Sequence, residues 1–237
     1  MLPLADLPRP SLAIGLEHLA IVFAAVSAVL AVRGKKLDLF GVLVLALVTS
    51  FGGGTVRDLL VGDFPVVWLR SPEFLLNATS IALLTFFTVR MRNLPQNILL
   101  IADAFALALF SMLGAQKGIA LGFSAPVTVL LGVVTGVAGG IIRDVLTGDV
   151  PLVFQPEIHL YATAALAGAA AFVILVRLGL DEPIATPLGL AMVLGLRLVG
   201  IRWHLTLPIF ESRHAESNAN GKIPGPIHEN TATDKHG

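Results

Sequence analysis

A fourteen-residue stretch occurs twice in this chain, both times inside an apolar run. The first copy is GGGTVRDLLVGDFP, residues 52–65, and the second is AGGIIRDVLTGDVP, residues 138–151. Arg57 and Arg143 stand 86 positions apart, and the same offset relates Thr49 to Thr135 and Glu17 to Asp103. A register kept that far outside the motif marks an internal duplication. Each copy belongs to a set of three apolar runs. A unit with an odd number of membrane crossings reverses direction on its second use, so the two units are expected as inverted-topology repeats.

That reading requires a bilayer, and the composition requires one too. Hydrophobic residues make up 55% of the chain and charged residues only 14%, with a mean hydropathy of +0.84. Soluble domains carry about 25% charged residues, and so few charges could not cover this much apolar surface in water. The expected fold is an all-α integral membrane protein with seven transmembrane helices, two inverted three-helix repeats plus a seventh helix. Its segments are a proline-rich N-terminal lead (1–14), repeat 1 with the first to third spans (15–93), repeat 2 with the fourth to sixth (97–179), the seventh span (185–206) and a disordered polar tail (207–237). The fourth span is expected to end near Leu113, ahead of a Gly114-Ala-Gln-Lys117 loop. The first run lacks the basic flank of a signal peptide and is read as a true span.

Loop charges orient the chain. Arg33, Lys35, Lys36, Arg90, Arg92, Arg202 and Arg213 fall in one alternating set of loops, against Arg9, Arg70, Lys117 and Arg177 in the other. The positive-inside rule then places the N-terminus outside and the C-terminus in the cytoplasm of a plasma (inner) membrane, as a multi-pass protein.

Three adjacent glycines, Gly52, Gly53 and Gly54, are poor helix interior, each costing about 1 kcal/mol relative to Ala. With Gly139 and Gly140 in the second copy, they lead to the expectation that the second and fifth spans are broken at their glycines. Backbone carbonyls opened there would face a midplane site, with Thr49 and Thr135 beside it. Close packing is the competing reading, because Ala46, Ser50 and Gly54, like Gly132, Gly136 and Gly140, recur every fourth residue.

Charges inside a span are costly and normally face a partner or a watery path. Arg57, Asp58, Arg143 and Asp144 are therefore expected either to bridge the two repeats, Arg of one to Asp of the other, or to set the field of a pore. Glu17 and Asp103, near the starts of the first and fourth spans, fit a capping, bridging or vestibule role. Arg197, in the middle of the seventh span, needs a partner elsewhere in the bundle.

Enzyme readings find little support. There is no G-x-S-x-G, H-E-x-x-H or Walker loop, and GGGTVRD is not a dinucleotide fingerprint. An aspartyl dyad must share a proton, whereas Asp58 and Asp144 each have an Arg beside them. The chain has no cysteine. No metal site, cofactor or basic nucleic-acid patch is expected.

GGGTVRD in the second span, its GGIIRD equivalent in the fifth, and the strings 37–41 (LDLFG), 114–117 (GAQK), 151–153 (PLV) and 161–164 (YATA) resemble the trimeric intracellular cation (TRIC) channel family, in its bacterial branch. Similar bacterial sequences are also classed as glycine transporters. The resemblance implies a homotrimer in the lipid bilayer, with one hourglass pore per subunit lined by the first, second, fourth and fifth spans. It makes Gly52, Gly53, Gly54, Gly139 and Gly140 the narrow part, and potassium and sodium the permeant ions. Two departures stand out: Ala138 replaces the first glycine of the second triplet, and Ser50-Phe51 replaces the Lys-Glu that precedes the triplet in animal members. The function expected is a monovalent cation channel. The alternatives are a small-solute, glycine-type transporter using the same helix breaks, and a purely structural protein.

Overall fold

The computed structural model describes residues 11–92, 95, 97–155 and 160–203. The lead up to residue 10 and the tail 207–237 fall outside the described residues. The ordered elements are helices α1 (Ser11–Ala31), α2 (Leu39–Val61), α3 (Val67–Arg70), α4 (Glu73–Met91), α5 (Ile98–Ala120), α6 (Ala125–Thr147), α7 (Tyr161–Arg177) and α8 (Glu182–Trp203), with a short 3-10 turn at Leu152–Phe154. Among the described residues there is no strand. Six of these helices are long and apolar enough to cross a membrane, and the apolar α7 is shorter, at 17 residues.

Local chemistry sets the helix ends. α2 starts behind Asp38, whose Oδ1 accepts the Gly41 N–H at 2.8 Å, a side-chain cap on an otherwise unpaired donor. It stops at Gly62, in the left-handed region at φ 69°. The Gly62 N–H then returns to the Asp58 and Leu59 carbonyls, and the Asp63 N–H to the Asp58 carbonyl at 2.9 Å. α6 ends in the same way at Gly148 (φ 75°), with Asp149 donating to the Asp144 carbonyl. Both ends are glycine-based Schellman caps, so the Gly-Asp of each motif copy is a helix stop. The expected loop after Leu113 does not form. α5 runs on to Ala120, because the small residues Gly114 and Ala115 pack inside the bundle as helix.

α5 is the central helix and is buried along most of its length. On one side, its Leu107 and Met112 join Phe172 of α7 and Val193 of α8 in a core. On the other, Ala106 and Leu109 pack on Ala20 and Ile21 of α1 and Phe74 of α4. A third cluster joins Ala25 and Val29 of α1 to Val42 and Leu45 of α2 and Ala82 of α4. Alanine supplies much of this core, as expected where close van der Waals approach of helices does the work of hydrophobic segregation. Leucines such as Leu59, Leu76, Leu84, Leu130 and Leu188 face outward.

The expected breaks in the second and fifth spans are absent. α2 and α6 are continuous α-helix through Gly52, Gly53, Gly54, Gly139 and Gly140. Gly52, Gly53 and Gly139 serve a crossing instead. A β-carbon on Gly139 would lie 2.6 Å from the Thr49 carbonyl oxygen, and one on Gly53 would press harder still on the Thr135 carbonyl oxygen. Backbone meets backbone there, and only glycine leaves the room. The Thr49 and Thr135 hydroxyls are satisfied inside their own helices, donating to the Leu45 and Leu131 carbonyls at 2.7 and 2.6 Å. Packing at the crossing therefore accounts for Gly52, Gly53 and Gly139 in this conformation, while a β-carbon on Gly54 or Gly140 would not meet the opposite helix.

Candidate functional site

The α2–α6 crossing has a buried arginine on each side, and each arginine is held by two carboxylates. Arg57 donates through Nε to Asp58 Oδ1 at 2.9 Å, and its Nη2 lies 3.5 Å from Glu17 Oε1 of α1. Arg143 donates through Nε to Asp144 Oδ1 at 2.8 Å and through Nη1 to Asp103 Oδ1 of α5 at 2.9 Å. The second oxygen of each motif aspartate captures the chain beyond its turn. Asp58 Oδ2 accepts the Val67 N–H at 3.0 Å, and Asp144 Oδ2 the Leu152 N–H at 2.9 Å. The Arg-Asp of the motif thus fastens helix end, turn and neighbouring helix into one buried unit.

The expected bridges between repeats, Arg of one copy to Asp of the other, do not form. Arg57 pairs with Asp58 and Glu17, and Arg143 with Asp144 and Asp103, so each arginine is neutralised by carboxylates of its own sequence half. At a helix end the short aspartate side chain lies within reach of the arginine beside it, which leaves no carboxylate free to cross. Glu17 and Asp103 bridge, as one of the expected roles had it, and both are buried.

The halves are joined by other residues. Asp63 accepts Lys117 Nζ at 2.5 Å and also pairs with Arg70, tying the end of α2 to the end of α5. Lys35 Nζ reaches Asp149 Oδ2 at 2.5 Å and the Thr147 carbonyl at 2.6 Å, tying the loop after α1 to the end of α6. Asp63 and Asp149 are again 86 positions apart. The offset that singled out the arginines could have singled out this pair. Arg143 Nη1 adds a third tie, donating to Ser27 Oγ of α1 at 3.0 Å.

Burial pushes the Asp63 carboxyl up, but hydrogen bonds from Arg70 and Lys117, with their charges, outweigh it and hold the group below its ordinary range. The hydrogen bond from Lys35 is the main influence lowering Asp149.

Two further residues complete the second half. Tyr161, the only tyrosine in the chain, donates its hydroxyl to Asp103 Oδ1 at 3.2 Å. Arg197 of α8 finds its partners here, with Nη2 3.6 Å from Asp103 Oδ2 and its guanidinium 4.5 Å from the centre of the Tyr161 ring. Such a contact is a cation–π interaction. In the sequence Tyr161 stood out only by its rarity and as the start of the YATA string, neither of which gave it a partner. In the first half a small cavity of about 20 Å³ opens beside Glu17, Ser50, Gly54, Arg57 and Trp68, room for about one water molecule. Among the described residues no group of three or more His, Asp or Glu is placed to hold a metal ion.

Comparison with known proteins agrees with this architecture. The family model described as "Glycine transporter" matches two stretches of the chain, 15–90 and 100–177. A UPF0126 membrane protein of Vibrio cholerae is 41% identical over 187 residues, covering 78% of this chain and 77% of that protein. The UPF0126 inner membrane protein YadS of Escherichia coli is 40% identical over 191 residues, covering 78% of this chain and 90% of its own. Among solved structures, the TRIC trimeric intracellular cation channel orthologue of Rhodobacter sphaeroides superposes with a TM-score of 0.78 at 35% identity, covering 83% of this chain and all of that one. The matched families are membrane channels and transporters, and none is an enzyme family. The chain is a membrane protein that belongs to the UPF0126 family described by the glycine-transporter model, and it has the fold of the bacterial TRIC channels.

Proposed function

We propose that this protein is a passive, potassium-permeable monovalent cation channel, with one pore in each subunit of a homotrimer in the inner membrane. The observation that carries the reading is the α2–α6 crossing, flanked on each side by a buried arginine that two carboxylates outweigh. Those carboxylates leave the Arg57 set one formal negative charge, while Arg197 brings the Arg143 set to neutrality. With no net positive charge on either side, the crossing favours a cation over an anion. Similarity to solved TRIC cation channels supports the same reading. So does the match of one family model to two stretches, which fits two inverted three-helix repeats followed by α8 as a seventh span.

In this reading Gly52, Gly53, Gly54, Gly139 and Gly140, with Thr49 and Thr135, form the constriction. The N-terminus is outside and the C-terminus cytoplasmic, on the loop-charge balance.

The test is the reversal potential of purified protein in planar bilayers under a potassium chloride gradient. The expected result is discrete unitary currents reversing close to the potassium equilibrium potential. A second reading, a glycine-type transporter, is favoured by the description of the matching family model. Saturable glycine counter-flow in vesicles, with no unitary current, would establish it in place of the channel.

A further inference from the structure

The two motif copies are alike in sequence and unlike in what stands over them. A β-carbon on Gly54 would meet only Arg57 Nη2, at 3.8 Å, an ordinary contact. Gly140 is the matching position 86 residues on. There Arg143 Nη2 also stands at 3.8 Å, but the Tyr161 hydroxyl is nearer, at 2.9 Å, with Asp103 Oδ1 at 3.5 Å. The same well is built twice and filled once.

The charges differ in the same sense. Arg57, Asp58 and Glu17 sum to one formal negative charge beside the open cavity. Arg143, Asp103 and Asp144 sum to the same value, but Arg197 of α8 cancels it. Arg197 also lies over the Tyr161 ring, while the Tyr161 hydroxyl is bonded to Asp103. In the first copy, Leu75 occupies the position that matches Tyr161, and it has no hydroxyl to offer. Tyr161 is the first residue of α7 and follows Leu160, a non-glycine residue in the left-handed region at φ 57°.

We infer that the two wells are the two halves of the permeation path: the Gly54 well stands open to water and cations, and the Gly140 well is shut by Tyr161, which Asp103 and Arg197 latch in place. The inference rests on the channel reading. It makes the closed state one-sided, with an ion free to enter from the Gly54 side and stopped at the phenol on the other.

Because the chain has no cysteine, each introduced thiol is the only one. In full-length purified protein, Gly54→Cys is expected to react readily with a water-soluble cationic methanethiosulfonate. Gly140→Cys is placed in two backgrounds that both remove the clashing hydroxyl. With Tyr161→Phe the ring still covers the thiol, and with Tyr161→Ala it does not, so labelling is expected at least tenfold faster in the second. Tyr161→Leu, which copies Leu75, preserves apolar packing and is expected to behave like Tyr161→Ala should the alanine variant fold poorly. Equal rates in the phenylalanine and leucine backgrounds, or an unreactive Gly54→Cys, overturn the two-well assignment.

Potassium flux into vesicles is the second measurement. Tyr161→Leu alone is expected to raise it severalfold over the unsubstituted protein. Unchanged or lower flux overturns Tyr161 as the gate. No flux from either protein, with the labelling pattern intact, overturns the channel reading and leaves the occluded well established.

Discussion

Gly53 and Gly54 are adjacent and ask for opposite things. A β-carbon on Gly53 presses on the Thr135 carbonyl of α6, whereas one on Gly54 meets only Arg57 Nη2 at ordinary contact distance. Gly53→Ala is therefore expected to destabilise the protein by about 1–3 kcal/mol, the usual cost of overpacking. Gly54→Ala removes a poor helix former from open space and is expected to be neutral or to stabilise by up to about 1 kcal/mol. Thermal unfolding of the two variants in detergent, side by side, checks the order. Arg143 poses a different demand. Its removal leaves Asp103 and Asp144 buried together without their shared cation, so Arg143→Gln is expected to cost about 3–5 kcal/mol, measured in the same assay. At this scale the sequence was legible in residue type and blind to partner. The motif marked Arg57 and Arg143 as buried charges, and they are buried. Which carboxylate each would take depends on side-chain reach at a helix end, and spacing along the chain does not encode that. Adjacent residues on a helix seldom face each other, which is why pairing between repeats was the natural expectation.

Among elements, the ties at the helix ends give the protein an acid response of known sign. The Asp63 and Asp149 carboxyls are held below their ordinary value by Arg70 and Lys117 in one case and chiefly by Lys35 in the other. A carboxyl lowered on folding contributes stability that is present above its unfolded value, about 3.9 for Asp, and is lost as pH falls through the folded one. The melting temperature is expected to hold from neutral pH down to roughly pH 4 and to fall below it. In Asp63→Asn that acid-side decline is expected to be shallower, from a lower neutral plateau. Asp149→Asn is expected to change the plateau much less, because both members of its pair are partly exposed, and exposed pairs contribute at most about 1 kcal/mol. The helices themselves were largely readable, since apolar run length and the Gly-Asp-x-Pro stops locate α2 and α6 closely. At the three glycines of α2 the sequence supported both a break and close packing, and spacing did not choose between them. Intrinsic propensity argues for a break, and the α6 backbone lying against that face makes glycine the residue that fits an intact helix.

For the whole molecule, the duplication is the feature that sequence conveys best, and its asymmetry the one it conveys least. The offset of 86 aligns glycines, arginines and both sets of aspartates. It says nothing of α8, whose Arg197 enters only one of the two halves. Removing that charge should therefore act on one half alone. Arg197→Gln is expected to raise labelling of a thiol at Gly140, in the Tyr161→Phe background, while leaving labelling at Gly54 unchanged. An equal rise at both positions would mean that α8 supports the bundle in general. α7 is the other departure from regularity. Seventeen residues rise about 26 Å as a helix, short of a hydrocarbon core of about 30 Å.

The crossing of α2 and α6 has a mechanical consequence. Gly53 and Gly139 are each the fifteenth residue of a 23-residue helix, so two equal rods touch off-centre at the same point. From that fulcrum the C-terminal arm of each rod measures about 12 Å and the N-terminal arm about 21 Å, at 1.5 Å per residue. The ion pairs of Asp63 and Asp149 grip the short arms. By that ratio, about 1 Å of slack at a tie becomes nearly 2 Å of travel at the opposite end of the same helix. A lever gripped on its short side holds position weakly and transmits movement well.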